Sequence, residues 1–212
     1  MMNTVSYLDT AWYFTRVTKR LTRVERRERT RGELVEAAIG LFAAHGVSSV
    51  SVEAVAEEAG YSRGAYHSNF SGRDELLAAV VQVVVSDLGA ELRRRTDAEE
   101  RAVAKLSEYI RTFAAYCARE PGRTRALVAV VSHRTTAGGP DYDSMVDESL
   151  GDLIDIFEYG QERGEMRRFD RVVMARLLRR ALDGEAVRIA AEGAASAIAD
   201  ELVANFEHAT RA

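Results

Sequence analysis

Two prolines in 212 residues, Pro121 and Pro140, leave the chain few fixed interruptions, so most of its length is free to form helix. Alanine, leucine, glutamate and arginine are abundant, and these residues lose little on entering a helix. An all-α protein with a sizeable core is the expectation. Cys117 is the only cysteine, which excludes an intrachain disulfide and a cysteine-based zinc site. The four histidines have no metal-ligand spacing, and there is no phosphate loop, nucleophile elbow or paired metalloprotease histidine. Cys117 and His133 could form a nucleophile and base only if folding joined them. No enzyme activity, metal or cofactor is therefore expected. Without an apolar run near the roughly 20 residues of a membrane span, the chain reads as soluble and cytoplasmic, with no membrane partner.

Charge is distributed unevenly. Between Arg16 and Arg31 stand Arg16, Lys19, Arg20, Arg23, Arg26, Arg27, Arg29 and Arg31, against only Glu25 and Glu28. The segment from Leu77 onward carries the whole net charge of −4. One end of the chain is suited to anions. Residues 1–28 lack a core pattern and are expected to form a basic arm, although the spacing of the arginines would line one face of a helix.

Apolar periodicity begins after Thr30. Leu34, Val35, Ala38, Ile39, Leu41 and Phe42 form a stripe that ends at His45 and Gly46, predicting a first helix. Ser51 is placed to cap a second helix reaching Ala59, and Gly60 supplies a left-handed turn. Ser62 caps a short third helix, with Tyr61 and Tyr66 at the two positions of a hydrophobic staple. Ser71 with Asp74 suggests a capping box opening a fourth helix to about Arg94, and Thr96 with Glu99 a second box for the next. Further helices are expected over 123–135, 142–163, 170–192 and 194–208, with a break at 137–140. Two short helices joined at Gly60 make a helix-turn-helix arrangement, which gives domains of 29–76 for a DNA-binding head and 77–212 for the remainder.

The string from Leu34 to Leu77 is more specific than that pattern. It combines Phe42 and Gly46, the pairs Val55-Ala56 and Ala59-Gly60, Ser62, Gly64, Phe70, Arg73 and Leu76, and it resembles the DNA-binding head of the tetracycline-repressor (TetR) family. The resemblance implies a transcriptional regulator, more readily a repressor than an activator, that binds a double-stranded operator as a homodimer and responds to a small-molecule effector. In such a head the third helix lies in the major groove. Arg63 would then donate to a guanine edge, Ala65 meet a thymine methyl, and Ser68 reach an edge or a phosphate. Ser51, Ser62, Gly64, Asn69 and Arg73 belong to the same surface, with Arg73 gripping the backbone and Ser51 capping a helix end suited to phosphate. His67 departs from the tyrosine usual at its position, and implies a pH-sensitive phosphate contact.

The resemblance also implies a larger C-terminal helical domain for effector binding and dimerisation. Tyr109, Phe113, Tyr116 and Cys117 form a stripe with a polar fringe, so Phe113, Tyr116, Cys117, His133, Met145 and Phe157 are the candidate effector pocket. Ala195, Ile198, Leu202 and Phe206 recur at helical spacing and are the candidate dimer interface. A ligand-independent architectural DNA-binding protein is the alternative, distinguished by having no effector response.

Overall fold

The computed structural model describes residues 22–136 and 149–212; most of the expected basic arm and Met145 of the expected pocket lie outside the described residues. Helix α1 (Arg23–His45) starts at Arg23 rather than Thr30. Thr22 and Glu25 explain the earlier start, because each side chain bonds the other's backbone N–H in a capping box. The first turns up to Glu28, assigned to the arm from sequence, thus continue the helix of the head. At its other end Gly46 has φ 72°, and its N–H closes on the Phe42 carbonyl.

Helices α2 (Val52–Glu58) and α3 (Arg63–Asn69) complete the head. Ser51 Oγ accepts from Ala54 N at 3.1 Å and Ser62 Oγ from Ala65 N at 3.2 Å, so both serines cap as their positions predict. Gly60 turns the chain between them with φ 74°. Both residues at the expected staple positions pack on the core of the head. Tyr61 donates its hydroxyl to Glu33 on α1, while fully buried Tyr66 packs its ring 5.4 Å from that of Phe70.

Helix α4 (Arg73–Thr96) is about 36 Å long at 1.5 Å per residue and links the head to the body. Its start differs in detail from the expected box: Ser71 donates through N and Oγ to Glu75, both at 2.8 Å, instead of pairing with Asp74. Thr96 does not cap the following helix. It is the buried last residue of α4, with Oγ1 donating to the Arg93 carbonyl. Helix α5 (Ala102–Arg119) follows, then α6 (Pro121–Thr136), in which Pro121 opens the helix, where its missing N–H costs nothing.

Helices α7 (Gly151–Glu162), α8 (Arg171–Glu192) and α9 (Ala195–Thr210) finish the described chain, which contains no strand beyond the single bridge pair Met166 and Arg211. Helix α5 is the centre of the body and packs against α4, α6, α7, α8 and α9. Gly160 on α7 allows one close approach, since a Cβ there would come within 2.9 Å of both the Met166 side chain and Ala102. The protein is all-α, as the near absence of proline led us to expect. Among the described residues no helix is long and apolar enough to cross a membrane.

Candidate nucleic-acid interface

The outer face of α3 follows from which of its residues the head consumes. Tyr66 and Asn69 point inward and are buried, whereas Ser62, Arg63, Gly64, His67 and Ser68 are exposed and Ala65 is half-buried. Asn69, expected among the outward residues, donates through Nδ2 to the Ala65 carbonyl at 2.8 Å and belongs to the packing of the head. Ser68 also turns back, its Oγ donating to Ala65 at the same distance.

Arg63 is held across the face it would present. Its Nε lies 3.1 Å from Glu53 Oε1 on α2 and 3.4 Å from His67 Nε2 one turn further along α3. The Arg63–Glu53 pair is open to solvent on both sides, so it can be exchanged for another anion at small cost. Gly64 is different in kind. A Cβ built there would meet nothing closer than Ser62 Oγ at 3.7 Å, so the packing of the head does not require a glycine at this position.

Arg73 is also bonded within the head. Its guanidinium donates to the carbonyls of Val50, at 2.7 Å, and Val47, and so ties the start of α4 to the loop between α1 and α2. These two bonds use two of the five guanidinium N–H donors and help to shape the head. Arg31, expected only as one of the basic residues at the start of the chain, has a structural role in the head. This residue donates to the Asn69 carbonyl, pairs with Glu75 at 2.8 Å, and lays its guanidinium 4.1 Å from the Phe70 ring centre. With Ser71 and Arg31 both bonded to it, the Glu75 carboxyl is held down at about 2, chiefly by the Ser71 N–H and hydroxyl. Nothing in the local spacing of Arg31 marks that role, because its partners are distant in sequence.

The candidate pocket is divided by the fold. Phe113, Tyr116 and Cys117 are buried along α5, and Phe157 is buried on α7 with its ring edge-on to Phe169 at 5.3 Å. His133 is not among them. It lies on the head side of α6, with Nδ1 3.3 Å from Ser48 Oγ, which also separates it from Cys117 as a base. Burial pushes the Cys117 thiol up to about 11, the opposite of what a nucleophile needs. The interior around α5 is nevertheless polar in places. Arg179 pairs with Asp183 at 2.9 Å on α8 and places its guanidinium 5.7 Å from the Phe113 ring centre. A cleft of about 700 Å³ opens elsewhere, lined by charged Arg93, Asp97, Lys105, Asp152 and Arg163 rather than by the predicted apolar residues.

The candidate dimer residues on α9 face their own subunit. Ile198 is buried, and Ala195, Leu202 and Phe206 are half-buried against the same core, with α9 packed on α5. Of the large apolar side chains left in solvent among the described residues, Val24, Val85 and Val128 are scattered over α1, α4 and α6, whereas four share α8: Val172, Val173, Leu177 and Val187, exposed by 43, 50, 55 and 42%.

Residues 34–80 match the family model for bacterial regulatory proteins of the tetR family. The HTH-type transcriptional regulator SrpR of Pseudomonas putida is 41% identical over 54 residues, which are 26% of this chain and 25% of that one. The matched stretches of the first relatives span less than half of those proteins' own lengths. Solved structures extend the likeness of fold. The fatty acid degradation regulator FadR of Bacillus halodurans superposes with a TM-score of 0.74 at 14% identity, over 84% of this chain and 94% of that one. The ketosteroid transcriptional regulator KstR2 of Mycobacterium tuberculosis does so with 0.65 at 18% identity, over 86% and 95%. Residues 34–80 thus carry the sequence pattern of the tetR family of bacterial regulatory proteins, and the helices behind them have the fold of these solved regulators.

Proposed function

We propose that the protein is a sequence-specific DNA-binding transcriptional regulator, a homodimer that represses from a near-palindromic operator and is released by a small-molecule effector. The observation that carries this reading is the outward face of α3: Arg63, Gly64, His67 and Ser68 are exposed together, and the glycine has no structural reason on its own side. A side chain absent where the protein has room is what close approach to a base-pair edge calls for. The exposed arginines of the first turns of α1, Arg23, Arg26 and Arg27, add positive charge to the head. Exposed Val173, Leu177 and Val187 on α8 favour pairing of two copies through that helix. For the effector, the buried Tyr109 and the half-buried Arg179 and Asp183 near Phe113 supply the few oriented contacts that an otherwise apolar site needs.

The test is a titration of duplex DNA selected by the wild-type protein. Arg63→Ala should weaken that duplex by about 1 to 3 kcal/mol and relax the preference at one base pair of each half-site. Unchanged affinity and unchanged selected sequence would remove α3 from the interface.

A further inference from the structure

The head is joined to the body by more than α4. Helix α1 packs along α6, and a side-chain contact ties them at each end of α6. Near its start Arg123 Nη2 donates to Glu36 Oε1 on α1 at 2.7 Å, and near its end His133 Nδ1 lies 3.3 Å from Ser48 Oγ in the loop after α1. The same helix packs against α4, α5 and α8 and buries Thr124, Ala126 and Val130. Helix α6 is therefore the layer between the head and the interior of the body.

Arg123 stands at the junction of four helices. Its side chain is only 24% exposed, although its partner Glu36 is 55% exposed. Close by is the Tyr116 hydroxyl of α5, which donates to Asp87 Oδ2 of α4 at 3.0 Å. Burial raises the pKa of that hydroxyl most and Asp87 raises it further, while the charge of Arg123 acts in the other direction. An ion pair this exposed adds little to stability, so its strength does not account for a largely covered arginine at such a junction. Its position does.

We infer that Arg123 and Glu36 are positioning residues, whose contact sets the angle of the head on α6 and hence the separation of the two α3 helices in a dimer. The inference rests on the DNA-binding dimer proposed above. Two recognition helices fit successive major grooves only when about 34 to 36 Å apart, so an angle held at α6 becomes a preference for one half-site spacing. A pair that only stabilised the fold would leave no such signature.

The experiment uses the full-length protein and duplexes bearing two copies of the selected half-site, with their separation changed by one and two base pairs. A duplex with a single half-site is titrated in parallel. Wild type should bind one spacing best. Arg123→Ala and Glu36→Gln should each reduce that preference by about fivefold, the scale of one weak ion pair, and leave single half-site affinity unchanged. Glu36 is on an exposed helix face, so Glu36→Gln removes charge without disturbing packing. The exchanged double variant Glu36→Arg/Arg123→Glu should recover the preference. Equal weakening on all spacings, or a preference unaltered by Glu36→Gln, overturns the inference. A wild-type protein indifferent to spacing would overturn the dimer reading itself, and this inference with it.

Discussion

A glycine inside a short helix costs about 1 kcal/mol relative to alanine, and at Gly64 the head gains no packing in return. Gly160 shows the contrast, since a methyl group there would run into Met166 and Ala102. Gly64→Ala should therefore leave the unfolding temperature equal or higher while weakening selected DNA, measured by thermal melting and by fluorescence anisotropy on one preparation. A fall in both would make Gly64 a structural glycine. Glu75 provides a second test within the head. Its carboxyl is held at about 2, below its ordinary 4.5, so the stabilisation is fully present above pH 4.5 and is lost as pH falls toward 2. Glu75→Gln should flatten the decline in stability over that window, and an unaltered acid profile would show that Ser71 and Arg31 do not engage the carboxylate in solution. The caps at Ser51 and Ser62 were legible in the sequence because a cap and the N–H that donates to it lie three residues apart. Arg73, Asn69 and Arg31 were not, because Arg73 reaches back 23 and 26 residues and Arg31 reaches forward 38.

At the scale of elements, apolar periodicity tells that a helix face is covered but not what covers it. The stripe Ala195, Ile198, Leu202 and Phe206 on α9 was legible as a packing surface, and the structure places it against its own subunit. On α8 the faces are divided. Leu178, Leu182 and Ile189 are buried inside, while Val173, Leu177 and Val187 are left in solvent. Apolar residues on both sides of one helix hide the second face from a reading by period alone. Leu177→Glu should produce a monomer in sedimentation velocity without lowering the unfolding temperature of the subunit fold. Ile198→Ala should do the reverse, destabilising by about 2 to 5 kcal/mol as a core truncation and leaving the dimer associated. Exchange of these two outcomes would return the interface to α9. The earlier start of α1 has a similarly local cause, because the Thr22–Glu25 box lies in a stretch whose only core-like residue, Val24, is 65% exposed.

At the scale of the molecule, the head and the body share one continuous core, running from Leu34 and Phe42 through Leu77 and Val84 to Leu178 and Ile189. Helices α4 and α6 both join the two parts, so displacement of interior groups around Tyr116 has two routes to α3. An effector that prefers one head separation must then change DNA affinity, and DNA must change effector affinity by the same factor. The fold class and the head were readable from composition and motif. The layering of α6 between them was not, since it depends on Glu36 and Arg123 meeting across 87 residues. Whether two copies of α3 read one operator is measured by selection of genomic DNA fragments with the purified protein, followed by stoichiometry on the enriched duplex. The expected result is a near-palindromic sequence occupied by two chains, with half-sites about one helical turn apart. Recovery of no sequence above random fragments, or of a single half-site occupied by one chain, would contradict it.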